Sequence, residues 1–174
     1  MNANARRSMN LLAAAGLVLG GFFGMLGTVV AQASLRRIFW GIDGSALVMA
    51  ASLLALKYLR KESDLVAAGF LAFAIGQGLI VSGAAASLAA SVPSFAAGAA
   101  LWAVALLLIS VPREFAIWTR LLGIVSAILF AFTSARILWG ERLLPTSSPL
   151  PYFAYPFLVL TFVGWIWTLL REKV

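Results

Sequence analysis

Apolar residues form long continuous stretches in this sequence, and charged residues are gathered between them. Residues 8–35, 65–112 and 143–170 contain no Asp, Glu, Lys or Arg. A helix needs about 20 apolar residues to cross the hydrocarbon core of a bilayer, so residues 65–112 can hold two spans and a turn. Lipid-facing β-strands would alternate apolar and polar residues instead. The pattern therefore predicts an all-α membrane protein.

Charged and turn-forming residues between the apolar stretches divide the chain into six predicted transmembrane helices. These helices form a single polytopic membrane domain over residues 1–174. The predicted ranges are 9–33, 42–59, 65–90, 94–111, 115–138 and 149–170. The second span is the least regular, because Asp43 and Lys57 lie close to its two ends. It can still cross the bilayer if the Lys57 side chain extends toward the headgroups.

The six predicted helices are compatible with three successive helical hairpins. Each hairpin would end in a basic–acidic pair, and the three pairs are Lys61-Glu62, Arg113-Glu114 and Arg171-Glu172. A repeat of this length is a recognised pattern in sequences. Alternating topology alone would also place basic residues at these three positions. The hairpin repeat is therefore one of two open interpretations.

Composition agrees with a location in the membrane. Hydrophobic residues make up 63% of the 174 residues and charged residues 11%, whereas soluble domains average about 25% charged residues. The mean hydropathy is +1.01. The net charge of +7 comes from basic residues scattered between spans rather than gathered on one face. We therefore predict membrane lipid, and no nucleic acid, as a partner.

Lys and Arg are unevenly distributed between the two sides of the predicted spans. One side carries Arg36, Arg37, Arg136 and Arg142, and the side of both termini carries the remaining nine of the 13. Basic residues concentrate on the cytoplasmic side of membrane proteins. The sequence therefore predicts a protein integral to the cell membrane, inner or plasma, with both termini in the cytoplasm.

The first apolar stretch allows two interpretations. It is preceded by basic residues and ends in GTVVAQASLRRIFW, where Ala31 and Ala33 have the spacing of a signal-peptide cleavage site. Cleavage before Ser34 would leave five spans. The apolar run is longer than the usual signal-peptide core, which favours a retained span.

Small residues at intervals of four predict close helix packing. The residues concerned are Gly16, Gly20 and Gly24 in the first span, Gly78 in the third and Gly123 in the fifth. In lipid, close backbone approach and dispersion hold helices together in place of the hydrophobic effect. We therefore expect the first, third and fifth spans to form the packed interior. The bulkier sixth span is expected to face lipid or a partner.

Two polar side chains are predicted at membrane depth. Gln77 lies near the middle of the third span, and Trp102 lies at a comparable depth in the fourth. A buried amide or indole N–H is costly unless it is hydrogen-bonded, and these two groups could satisfy one another. Gln77 either holds helices together or lines a polar passage with Trp102.

Charged residues also gather at the side opposite the termini. They are Arg36, Arg37, Asp43, Arg136, Glu141 and Arg142. Asp43 has a structural explanation as an N-cap of the second helix, paired with Arg36 or Arg136. Alternatively, the excess of Arg forms an outer site for an anionic headgroup or solute.

Several chemistries are excluded by what the sequence lacks. Without Cys and His there is no disulfide, no thiolate or Ser-His catalysis, and no imidazole ligand for zinc or haem. The only two Asp residues, Asp43 and Asp64, lie on opposite sides of the predicted bilayer, which excludes a paired-Asp protease. We therefore predict no catalytic, cofactor-binding or metal-binding residues and no enzymatic activity.

Two functional hypotheses remain. The first is an accessory or scaffold subunit that packs with other membrane proteins or as a homo-oligomer, which the small-residue faces and the scarcity of buried charge favour. The second is a small transporter or channel for a neutral or anionic solute, acting through Gln77 and the outer Arg residues. A transporter usually has a charged residue at membrane depth, so the sequence favours the first hypothesis.

Overall fold

The computed structural model describes residues 3–84 and 87–172, and this part of the chain folds into six α-helices without a β-strand. The helices are α1 Ala3–Val29, α2 Ala33–Leu59, α3 Asp64–Ala84, α4 Val92–Ser110, α5 Ile117–Leu138 and α6 Ala154–Arg171. Each one is long and apolar enough to cross a membrane. The predicted all-α membrane fold with six spans is thus confirmed.

The helix boundaries differ from those predicted by up to nine residues, and α1 spans Ala3–Val29 rather than residues 9–33. Helix α2 begins at Ala33 rather than at residue 42. A helix can continue through charged residues such as Arg36 and Arg37, which hydropathy alone excludes from a membrane span. Helix α3 ends at Ala84 rather than at residue 90, and residues 88–91 form a turn, while residues 85–86 lie outside the described part. Helix α6 begins at Ala154 rather than at residue 149, since Pro149 and Pro151 cannot continue a helix.

The six helices form a closed ring in chain order. Each helix packs against its neighbours in sequence, and α6 completes the ring by packing against α1, which is the least extensive of the six interfaces. This arrangement corrects the expectation that the first, third and fifth spans form the interior, because every helix contributes one face to it. It also shows no separation into three hairpins, since α2 packs on α3 and α4 on α5 as closely as within the hairpins.

Aromatic side chains fill the interior of the ring on the side of the termini. Trp165 of α6 contacts the rings of Phe70, Phe73 and Phe162, with centroid distances between 4.9 and 6.1 Å. Trp165 is only 1% exposed. Helix α6 is therefore part of the core, contrary to the expectation that its bulky residues face lipid. Edge-to-face ring pairs of this kind contribute about 0.5–1.5 kcal/mol each beyond the contact area.

Glycines allow helix α1 to approach α2 closely along its length. A Cβ atom at Gly16 would lie 2.7 Å from a backbone oxygen of α2, which is too close for a side chain. Gly20 and Gly24 face α2 side chains in the same way. On α2, Ala46 faces Gly16, Leu47 faces Gly20 and Asp43 faces Gly24.

The predicted packing glycines of the later spans differ from one another. Gly123 of α5 lies against Ser110 of α4. Gly78 is exposed on the outside of the ring, and no atom lies within 4 Å of a Cβ placed there, so it packs against no other helix of the described chain. The glycines that bring α3 and α4 together are Gly76 and Gly98, each facing the backbone oxygen of the other.

The first and last helices are joined at the end of the ring where the described chain begins and ends, which we call the terminal end. The Lys57 ammonium group of α2 donates to Asn10 Oδ1 at 2.9 Å and to Glu172, which also pairs with Lys61. Burial acts to raise the pKa of Glu172, but its hydrogen bonds and the charges of Lys57 and Lys61 outweigh this effect, so the pKa lies below its usual value. The network ties α1, α2 and α6 together.

Candidate functional site

Asp43 lies inside the helix ring rather than at its surface. It occupies the third turn of α2 and shares its buried face with Leu47, Ala50 and Leu54. Because α2 begins at Ala33, Asp43 is not an N-cap, which corrects the interpretation from sequence. About 8 Å of helix separate its α1 neighbour Gly24 from the end of α1, which places the carboxyl group well inside the bundle.

Gln77 holds the Asp43 side chain. Its Nε2 donates a hydrogen bond to Asp43 Oδ2 at 3.2 Å, joining α3 to α2. Gln77 is fully buried, and Asp43 is 9% exposed. Among the described residues, no Lys or Arg forms an ion pair with Asp43. The carboxyl group is therefore buried with a neutral partner and without a neighbouring positive charge.

A cavity of about 60 Å³ opens beside Asp43 in the half of the ring away from the terminal end. Its polar lining residues are Thr28, Trp40, Asp43, Ser91, Trp102 and Tyr155. A water molecule needs about 10–15 Å³ of such space, so the cavity has room for a few waters or one small solute. Among the described residues that line the cavity, Asp43 alone has a carboxyl, ammonium or guanidinium group.

Two buried polar atoms near this cavity have no hydrogen-bond partner in the described structure. They are Gln77 Oε1 and Trp102 Nε1. The expected bond between these two residues is thus absent, because Gln77 is turned toward α2 and the Trp102 indole stacks on Phe73 at 5.3 Å. Buried polar groups without a partner are costly, and functional sites are one place where they persist.

Further polar groups of the lining come from residues that sequence reasoning did not select. The Tyr155 hydroxyl donates to the Pro145 carbonyl oxygen at 2.8 Å, which fixes the α5–α6 connection over the cavity. Thr28 donates to a carbonyl of its own helix at 2.7 Å, and Ser91 to that of Leu88 at 2.8 Å. Both hydroxyl oxygens keep lone pairs that can accept a hydrogen bond from a solute.

The predicted outer Arg residues are placed apart from Asp43. Arg136 forms a two-bonded pair with Glu141, with Nη2–Oε2 and Nε–Oε1 distances of 2.6 and 2.9 Å. The hydrogen bonds from Arg136 hold the pKa of Glu141 below its usual value. Arg36 donates to the Val30 carbonyl at 2.6 Å, between α1 and α2. The expected ion pair of Asp43 with Arg36 or Arg136 is therefore absent.

The remaining members of the predicted outer cluster are solvent-facing. Arg37 and Arg142 are both exposed. Neither lines the cavity beside Asp43. The structure therefore divides the six predicted residues into a buried acidic group and a separate basic surface.

Comparison with known proteins found no relative of this chain. No family model matches the chain, and the searches of curated proteins and of solved structures found no match.

Proposed function

We propose that this polytopic membrane protein is a non-enzymatic carrier for a small organic cation, which binds at Asp43. The observation that carries the proposal is a carboxyl group buried inside the helix ring, on the wall of a cavity, without an ion-pair partner in the described structure. Acidic residues within membrane spans most often mark the path of a substrate or ion. The sequence-based argument against transport rested on the lack of such a residue.

A buried carboxylate without a partner is unstable in a medium of low dielectric constant. Asp43 can meet this cost in two ways, by holding a proton or by binding a cation. The two states exclude one another, because one carboxyl group accepts one positive charge. A carrier built on Asp43 therefore exchanges a proton for a cationic solute, as in an antiporter.

The charge of the cavity also supports a cation as the solute. The sequence suggested a neutral or anionic solute because Arg outnumbers acidic residues at this end of the bundle. In the structure Arg136 is paired with Glu141 outside the cavity, and Asp43 is the one ionisable carboxyl, ammonium or guanidinium group in the lining formed by residues 3–84 and 87–172. An anion next to Asp43 would be repelled, so the cavity favours a cation.

The test is solute uptake by liposomes that contain the purified protein. Guanidinium is a suitable probe because it is small and permanently charged, and acetate is an anion of similar size. We expect guanidinium uptake above that of protein-free liposomes, and acetate uptake equal to that of protein-free liposomes. The Asp43→Asn variant should lose guanidinium uptake, and the Asp64→Asn variant should keep it, because Asp64 is exposed at the terminal end. Uptake that is unchanged in Asp43→Asn overturns the proposal.

An accessory or scaffold role has one supporting observation. Gly78 is exposed on the outer face of α3, and the space around it is open, so a helix of another protein or of a second copy could approach there. The Gly78→Phe variant tests this hypothesis. Crosslinking in native membranes should lose a protein contact in the variant if the α3 face is an interface, and should be unchanged if it faces lipid.

A further inference from the structure

A groove runs along the outside of the interface between α1 and α6. It has a volume of about 520 Å³, within the range of about 300–1,000 Å³ that is typical of ligand sites. Its walls are entirely apolar and include Val18, Phe22 and Leu26 of α1 and Val163 and Ile166 of α6. The α1–α6 interface is the least extensive of the ring, so the groove lies where the wall is thinnest.

The groove adjoins the Asp43 cavity. Four residues line both spaces, namely Gly21 and Met25 of α1 and Val159 and Phe162 of α6. The wall between the two spaces is thin at Gly21, which has no side chain, and a Cβ atom there would lie 3.5 Å from Phe162 and 3.7 Å from Val159.

The carboxyl group lies about one helical turn from this wall. Gly24 follows Gly21 by one turn of α1, and a Cβ atom at Gly24 would lie 3.3 Å from Asp43 Oδ1. The inner side of the groove therefore lies close to Asp43, so a cationic end that passes this wall would meet the carboxyl group while the rest of the molecule remains among apolar side chains.

We infer that the α1–α6 groove admits an amphipathic cation from the lipid, with its alkyl chain along the groove and its cationic head at Asp43. This inference rests on the proposed function and names the substrate class. The apolar walls match an alkyl chain, and the carboxyl group at the inner end matches a positive head. The same carboxyl group disfavours an anionic amphiphile of equal shape, so charge complementarity selects the occupant.

The experiment measures competition against guanidinium uptake in liposomes. The competitors are dodecyltrimethylammonium and tetramethylammonium, which share a head and differ by the alkyl chain; both are used at concentrations that leave the vesicles intact. We expect the chain to lower the half-inhibitory concentration at least tenfold in the natural protein. Dodecyl sulfate at equal concentration should not inhibit.

Variants of the groove separate this inference from the proposed function. Val163→Trp fills the groove from α6, because Val163 is exposed and does not line the Asp43 cavity, and Val104→Trp on the exposed face of α4 is the matched control. Val163→Trp should keep guanidinium uptake and lose the tenfold advantage of the long-chain competitor, whereas Val104→Trp should keep both. If Val163→Trp does not fold, Val18→Trp on the opposite wall serves as the second variant, since Val18 is also exposed and lines only the groove.

The outcomes are distinguishable. Equal inhibition by the two ammonium compounds, or an advantage that survives filling of the groove, overturns the lateral entry and leaves the carrier proposal standing. Inhibition by dodecyl sulfate equal to that by dodecyltrimethylammonium also overturns it, because the groove would then accept any amphiphile. Absence of guanidinium uptake that depends on Asp43 overturns both proposals together.

Discussion

The side-chain amide of Gln77 donates a hydrogen bond of 3.2 Å to the carboxyl group of Asp43, and this bond joins α3 to α2 inside the ring. Hydrogen bonds between membrane helices contribute on average about 0.6 kcal/mol and up to about 1.7 kcal/mol. We expect a coupling energy near the upper value, because both groups are buried.

A double-mutant cycle measures this coupling. The variants are Gln77→Leu, Asp43→Leu and their combination, each unfolded reversibly in mixed micelles. The double variant should be more stable than the sum of the single effects predicts, by about 1–2 kcal/mol. Additive effects would show that the two side chains do not interact in the folded protein.

The glycines at helix contacts should differ sharply in their tolerance of a methyl group. Gly16→Ala places a Cβ atom 2.7 Å from the Ala46 carbonyl oxygen, so α1 must move away from α2. We expect a loss of about 1–3 kcal/mol in the free energy of unfolding, as is typical of overpacking. Gly78→Ala is the control and should change stability by less than about 0.5 kcal/mol. Equal effects at the two positions would contradict the helix arrangement.

The terminal end should be sensitive to acid. The folded-state pKa of Glu172 lies below the usual value of 4.5, so its ion pairs contribute fully above about pH 4.5 and are lost as the pH falls through the folded-state pKa. Glu172→Gln removes charge-assisted bonds to Lys57 and Lys61, and we expect a loss of about 1.5–3 kcal/mol at pH 7. Melting temperatures measured from pH 7 down to pH 3 should therefore converge for the natural protein and the variant.

A matched variant controls for the removal of one carboxylate at the same end. Glu62→Gln changes an exposed residue that forms no side-chain bond in the described structure. Its melting curve should follow that of the natural protein at each pH. A gap between the natural protein and Glu172→Gln that stays constant down to pH 3 would exclude titration of Glu172 as the cause.

Orientation in the membrane remains a prediction from the distribution of basic residues, and the lack of Cys makes it simple to test. Ser148→Cys lies in the α5–α6 connection and Ser63→Cys lies between α2 and α3, at opposite ends of the ring. A maleimide that cannot cross membranes should label the first variant in intact cells and the second only after permeabilisation. The reverse pattern would place both termini outside.

The number of helices could be predicted from the sequence, because long uncharged stretches fold as helices in lipid whatever their neighbours are. The start of α2 could not be predicted in this way. Arg36 and Arg37 lie in the first turns of α2, and charged residues at the end of an apolar stretch are usually assigned to a loop. In the structure the Arg36 guanidinium reaches a carbonyl at the end of α1, so the helix carries its charges to the bundle surface.

The position of Asp43 was predictable in part. Asp43, Leu47, Ala50, Leu54 and Tyr58 recur at helical spacing and share the buried face of α2. A helix that begins at residue 42 places Asp43 at its terminus instead, where an N-cap explains it. The choice between Gly76 and Gly78 was less accessible, since both lie at intervals that suit packing. The contact with α4 distinguishes them, since Gly76 faces Gly98 and no atom lies near a Cβ placed at Gly78.

The closed ring has a consequence for the biogenesis of the protein. Five of its six interfaces join helices that are consecutive in the chain, so each can form soon after the later helix leaves the ribosome. The α1–α6 interface must wait until α6 has been translated, and until then α1 has a free flank. A nascent chain that is stalled before α6 should therefore remain an open arc of five helices in which the carboxyl group of Asp43 is accessible from the lipid.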